Sequence, residues 1–247
     1  MMLSQNFREK VMSGHSKIEW TEATWNPITG CTPISHGCDH CYAKTLAKRL
    51  KAMGNPNYSN GFELTLHHKM LKKPLSWKKS KLIFVNSMSD MFHDNVPFEF
   101  IEEIFFIMTE AHWHTFQILT KRAENLEKYA LKIKWPKNVW MGVTVESEKY
   151  INRIDKLRKT PAYIKFLSFE PLLSNMPVLN LNNINWVIVG GESGARSRPM
   201  LKEWVVNIKQ QCDNNNIPFF FKQWGGFQKN KNGRLLNGKK YMAMPKF

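Results

Sequence analysis

Hydrophobic residues in this chain fall into short unbroken runs separated by longer segments of helical period. The runs are LIFVN at 82–86, TFQILT at 115–120, VWMGVTV at 139–145, YIKFLS at 163–168, NWVIVG at 185–190 and PFFFKQ at 218–223. A strand covered on both faces needs continuous rather than alternating apolar positions, so each run predicts a strand of a parallel sheet. Helices are predicted between them, near 98–111, 121–132, 147–158 and 200–214. The spacing suits successive βα units. An earlier helix is predicted from Asp39 as its cap, with Tyr42, Leu46, Leu50 and Met53 as its apolar face and Gly54 beyond its end. Lys44, Lys48, Arg49 and Lys51 take its other faces, and a loop rich in Asn, Gly and Lys runs on to about residue 80. The pattern predicts one α/β domain over residues 1–247, a parallel partial (β/α)6-type TIM-like barrel with a basic extension at about 226–247.

Polar residues cluster where these strands end. Asn86, Ser87 and Asp90 follow the first run; Thr120, Lys121 and Arg122 the second; Thr144 and Glu146 the third. Ser168 and Glu170, then Glu192, then Lys222 and Gln223 follow the remaining three. One such residue is an ordinary cap or turn, whereas six successive strands form a crown at the carboxyl ends, where parallel barrels carry their active sites. Glu170, kept out of a helix by Pro171, suits ribose hydroxyls or a substrate amine, or else caps a turn. Asp90 and His93 are candidates for paired proton transfer, or for a turn and a cap. Lys121 and Arg122 oppose the dipole of a helix starting beside them, which points to carboxylate or phosphate binding; Arg196 and Arg198 suggest another anion site. Trp20, Trp25, Trp140 and Trp186 read as core, and Trp224 as a lip for substrate.

Composition narrows the class. A hydrophobic share of 43% is that of a globular protein, not a disordered one. There is no run of eighteen apolar residues, and the opening MMLSQNFREK lacks a signal-peptide core, so no membrane span and a cytoplasmic location are expected. The net charge is +16. Residues 69–81 hold six lysines around Trp77 with no acid, and residues 214–247 hold seven Lys/Arg with no acid. Such patches suit a DNA, RNA or nucleotide partner, although a lysine- and asparagine-rich composition alone also yields solvated basic surfaces.

The chemistry concentrates in Gly30-Cys31-x6-Cys38-x2-Cys41. Three thiolates are one fewer than a closed tetrahedral site needs. Two readings follow: a Cys3His zinc site completed by His36 or His40, or a [4Fe–4S] cluster whose fourth iron is open to a cofactor. All three cysteines lie in one loop at the mouth of the predicted barrel, which favours iron–sulfur. Zinc leaves open a non-enzymatic nucleic-acid-binding protein and a hydrolase in which three thiolates hold the metal. Cys212 reads as an unliganded thiol.

The strings TWNPITGC (24–31), CDHCYAK (38–44), SMSDMFH (87–93), QILTKR (117–122), WMGVTVE (140–146), FLSFEPLL (166–173), VIVGGESG (187–194) and FFKQWG (220–225) resemble a phage- and prophage-associated family of three-cysteine proteins of unassigned substrate. That family is similar in turn to radical S-adenosylmethionine enzymes. The resemblance, over roughly residues 15–230, implies a [4Fe–4S] cluster on Cys31, Cys38 and Cys41 with S-adenosylmethionine at the open iron. It also implies an external electron donor and a 5′-deoxyadenosyl radical that takes hydrogen from substrate. His40 falls where the superfamily has an aromatic residue near adenine, and Gly190-Gly191-Glu192 resembles its methionine-binding turn, though on a late strand. The first cysteine gap is six residues where the commonest superfamily pattern has three. Together with the crown, the cofactor-contacting candidates are His40, Tyr42, Ser168, Glu170, Gly190, Gly191 and Glu192; the catalytic candidates are Glu170, Asp90 and Lys121.

Overall fold

A computed structural model describes residues 16 and 18–246. The opening segment read for a signal peptide and the last residue of the basic extension lie outside the described residues. Strands β1 (Ala23–Trp25), β4 (Leu82–Val85), β5 (Thr115–Thr120), β6 (Val139–Thr144), β7 (Ile164–Phe169), β8 (Trp186–Gly190) and β9 (Phe219–Gln223) form one sheet in that order, every neighbouring pair parallel. Two short strands, β2 (Ile28–Thr29) and β3 (Thr65–Leu66), pair antiparallel beside it. Helices α1 (Tyr42–Ala52), α2 (Phe98–Glu110), α3 (Ala123–Ala130), α4 (Asn152–Arg158) and α5 (Lys202–Asn214) return the chain between strands. The sheet is a curled, open half-barrel. The β7–β8 connection has no helix and is anchored instead by Leu172, Met176, Leu179, Leu181 and Ile184, all buried.

Alternation along each strand separates two cores. Ile83, Val85, Phe116, Ile118, Leu167, Val187 and Val189 belong to the larger one, together with helical residues such as Ile101, Ile104, Leu126, Leu157 and Ile208. The intervening positions Phe84, Trp140, Ile164, Phe166, Trp186, Ile188 and Phe220, joined by Trp20, make a separate, largely aromatic core. Trp186 is its hub, with ring centroids 5.5 Å from Phe166, 5.9 Å from Trp140 and 6.0 Å from both Trp20 and Phe220. Gly142 makes room for it, since a Cβ there would lie 2.4 Å from the Phe166 ring.

Two expectations about α1 change. The face that α1 buries is Ala43, Ala47 and Leu50, while Tyr42, Leu46 and Met53 are 55%, 37% and 43% exposed. Its N-cap is Cys41, and Asp39 instead ends the preceding short turn, His36–Cys38. The lysine-rich segment, whose place the sequence left open, begins beside the last residue of β1, where Trp25 Nε1 donates to Met70 O (2.8 Å). Lys81 O accepts from Thr115 N (2.9 Å), and Trp113 Nε1 donates to Trp77 O (2.8 Å), so residues 77–81 lie at the amino ends of β4 and β5. The basic extension also folds back: Phe221 N donates to Tyr241 O (2.9 Å) and Ala243 N to Phe219 O (3.3 Å), laying residues 241–243 antiparallel against β9. Among the described residues no helix is long and apolar enough to cross a membrane.

Candidate active site

The cysteine loop is fixed at its first end by backbone. Gly30 N donates to Met88 O (3.1 Å) and Cys31 N to Phe62 O (3.2 Å), seating Cys31 beside the β2–β3 pair. Gly30 has φ +80°, and a Cβ there would fall 2.1 Å from Glu63 O, so only glycine fits. Cys41 caps α1 without using its side chain, leaving the sulfur beside the helix N-terminus. All three cysteines are half-buried and line one cavity of about 550 Å³. Burial, with the charge of Asp90, pushes the Cys31 thiol up to about 11, against the pull of Arg122.

The opposite wall is the crown. His40, Tyr42, Asp90, Lys121, Ser168, Glu170, Gly191 and Glu192 all border the same cavity. Gly190 does not border it, but its missing side chain matters: a Cβ would lie 3.3 Å from the Glu170 carboxyl carbon. Glu170 therefore passes β8 and accepts from Lys222 Nζ on β9 at 2.5 Å. Ser168 is 1% exposed and its hydroxyl has no hydrogen-bond partner among the described residues; the Asn86 amide nitrogen is in the same condition.

Several polar residues are committed to the scaffold. Glu192 accepts from Arg198 N and Nε (both 2.9 Å) and from His40 Nδ1 (3.0 Å), which must carry the proton because a carboxylate only accepts. Arg198 also donates to His36 O (2.8 Å), tying the β8 loop to the cysteine loop. Burial alone would raise the Glu192 carboxyl, yet the hydrogen bonds from Arg198 and His40 hold it at about 2. Arg198, expected to bind an external anion, thus serves an internal one. Asp90 accepts from Thr120 Oγ1 (2.6 Å), Phe92 N (3.0 Å) and Lys121 N (3.1 Å), the pattern of a strand-end clamp. It is not hydrogen-bonded through its side chain to His93, whose Nε2 meets Thr32 Oγ1 (2.9 Å). Arg122 donates to Asp94 Oδ2 and to Thr32, while the Lys121 ammonium has no partner among the described residues and faces the cavity.

Trp224 is not the lip. Its Nε1 donates to Leu235 O (2.9 Å) and its ring packs on Phe221, whereas Phe227 and Phe62 border the cavity. Sequence reasoning had Phe227 among the aromatics of the basic segments able to stack on bases, and it missed Phe62, because an isolated phenylalanine in a loop carries no periodic signal. It also missed the buried pair of Glu146 and Arg153 (2.7 Å); Gly37 of the cysteine loop packs on Glu146, to which a Cβ would come within 3.0 Å.

This half-barrel has the fold of the radical S-adenosylmethionine class. Two solved structures of spore photoproduct lyase mutants align with it, at TM-score 0.50 with 12% identity and at TM-score 0.51 with 11% identity. Each alignment covers 80% of this chain and 62% of the lyase, so the chain spans less than two thirds of that protein's length. Residues 15–245 match the family described as "Protein of unknown function (DUF5131)", and the chain belongs to that family. No curated protein matches it.

Among the described residues no three His, Cys, Asp or Glu groups gather as a single metal ion requires. A cubane cluster asks for something else, since each thiolate ligates a different iron. Cys31, Cys38 and Cys41, half-buried and bordering one cavity, are donors of the chemistry such a cluster takes.

Proposed function

We infer that this protein is a radical S-adenosylmethionine enzyme acting on a nucleic acid or nucleotide. The observation that carries the reading is the shared cavity: Cys31, Cys38 and Cys41 open into the same space as the strand-end crown of a half-barrel. When bound, a reduced [4Fe–4S] cluster would supply the electron that cleaves S-adenosylmethionine to methionine and a 5′-deoxyadenosyl radical.

The chain's own residues would do the rest. Cys31, Cys38 and Cys41 hold the cluster. The Glu192–Arg198–His40 bracket keeps their loop against β8. Ser168 and the Glu170–Lys222 pair offer a hydroxyl, a carboxylate and an ammonium to polar groups of the cofactor, and Gly191 lets the β8 loop pack on the Trp224 carbonyl, which a Cβ would meet at 2.0 Å. Lys121, unpaired at the rim, suits a substrate phosphate, and Phe62 and Phe227 suit a stacked base. The nucleic-acid assignment draws on the +16 charge and on the name of the structural neighbours.

Anaerobic purification with assay of iron, acid-labile sulfide and zinc tests the metal. Iron and sulfide together, with release of 5′-deoxyadenosine that Cys38→Ala abolishes, are the expected results. One equivalent of zinc without sulfide, even after reconstitution, sinks the reading.

A further inference from the structure

A second cavity, of about 460 Å³, adjoins the reaction cavity beyond the carboxyl ends of β5 and β6. Ile34, Lys121 and Arg122 border both and form the wall between them. Lys149 and Tyr150, in the turn after β6, and Arg153 on α4 border the second cavity alone. Its volume falls in the range of about 300–1,000 Å³ that holds a small organic group.

The acids that border this cavity are engaged within the protein. Asp94 accepts from Arg122 Nη1 and from Asn125 Nδ2 (2.7 Å), and Glu124 pairs with Lys156 at 3.5 Å. Arg153 is held in turn by Glu146 at 2.7 Å. Lys121 and Lys149 are left over, with no ion-pair partner among the described residues. Tyr150 is half-buried, and the guanidinium carbon of Arg153 lies 4.2 Å from its ring centroid, which braces the ring in the cavity wall.

Two unpaired cations with an aromatic ring beside them match the repeat of a nucleic-acid strand, in which phosphates alternate with flat bases. A free nucleotide would fill the reaction cavity and leave its neighbour without a role. An acidic peptide would meet the lysines, but its carboxylates gain nothing from the Tyr150 ring.

We propose that the second cavity seats the nucleotide next to the reactive one, so that the substrate is a single-stranded segment of nucleic acid rather than a free nucleotide. Lys121, at the shared wall, takes the phosphate joining the two nucleotides. The neighbouring base stacks on Tyr150, and Lys149 takes the following phosphate. This rests on the nucleic acid or nucleotide reading above and deepens it.

The test uses the full chain and the fluorescence anisotropy of a labelled single-stranded oligonucleotide, in DNA and RNA versions of one sequence, the tighter of which identifies the strand. Unlabelled dinucleotides should displace it at concentrations about tenfold or more below those of mononucleotides carrying the same bases. Tyr150→Leu should weaken dinucleotide and oligonucleotide binding about tenfold through lost stacking, with mononucleotide binding unchanged. Tyr150→Phe, which keeps the ring, should bind as wild type does. Lys149→Ala, at an exposed position with no ion pair to lose, should lower the slope of log affinity against log salt by about 0.7. Equal potency of mononucleotides and dinucleotides overturns the proposal and leaves the nucleotide reading standing. An unchanged salt slope in Lys149→Ala, or wild-type affinity in Tyr150→Leu, overturns it as well. Displacement by polyglutamate as effective as that by a dinucleotide overturns it in favour of an acidic peptide. Absence of any nucleotide or oligonucleotide binding overturns both the proposal and the substrate reading beneath it, whereas the metal assay above tests the cluster separately.

Discussion

At the amino ends of the strands the inner positions of the half-barrel hold Trp140, Ile164, Phe166, Trp186 and Phe220. At the carboxyl ends the same alternation, carried on by two residues, delivers Thr144, Ser168, Glu170 and Lys222 to a cavity shared with three cysteines. One end is stabilised by ring-to-ring packing. The other holds, among the described residues, an unpartnered Ser168 hydroxyl, an unpartnered Asn86 amide nitrogen and a free Lys121 ammonium, where the floor leaves Trp20 Nε1 unpartnered. The contrast separates what holds the fold from what is left available to ligands. Substitutions at the floor should cost stability, and substitutions at the crown should cost little.

Trp186→Ala strikes the hub of the floor. It should destabilise the protein by about 3–5 kcal/mol, read by denaturant unfolding. A loss below about 1 kcal/mol would mean the aromatic floor contributes little, and the contrast would collapse. Gly142→Ala should cost about 1–3 kcal/mol, because its Cβ collides with the Phe166 ring. Phe166→Leu in the same protein should recover part of that loss if the collision is the cause.

The bracket between the β8 loop and the cysteine loop is an intermediate case. Arg198→Ala should cost about 1–2 kcal/mol, and alkylation of Cys38 should accelerate by more than that global loss explains. Unchanged alkylation would detach Arg198 from the loop. Glu192 gives the matching pH signature. Its folded-state value is depressed from 4.5 to about 2, so its contribution is fully present above pH 4.5 and is lost as pH falls from there towards 2. Glu192→Gln should flatten the stability profile in that window. Ser168→Ala should have the smallest effect, within about 0.5 kcal/mol of wild type, because its hydroxyl gives up no hydrogen bond. A loss of 2 kcal/mol there would place Ser168 with the scaffold.

The strands were largely legible in the sequence because a doubly covered strand is an unbroken apolar run; 115–120 coincides with β5, and the other five runs agree within a residue or two. The crown was legible for the same reason, since each polar residue is placed by the end of its run. Partnerships across the cavity were not. Nothing in the sequence near Arg198 signals that it grips His36 O, and nothing near Asp90 signals three donors converging on it. The buried face of α1 was misread because Ala43 and Ala47 pack more closely on the barrel than the larger Tyr42 and Leu46 can. The place of the lysine run was not legible, because composition shows how much charge a segment carries but not which end of the sheet it reaches.

The return of residues 241–243 along β9 has a consequence for the molecule in the crowd of its own copies. An open half-barrel ends in a strand whose outward amides and carbonyls would accept any stray extended chain, and here the chain occupies that margin itself. Lys239, Lys240 and Lys246 flank the occupied stretch, so a second molecule meets repulsion beside an edge already paired. The tail's charge there also guards the molecule against self-association.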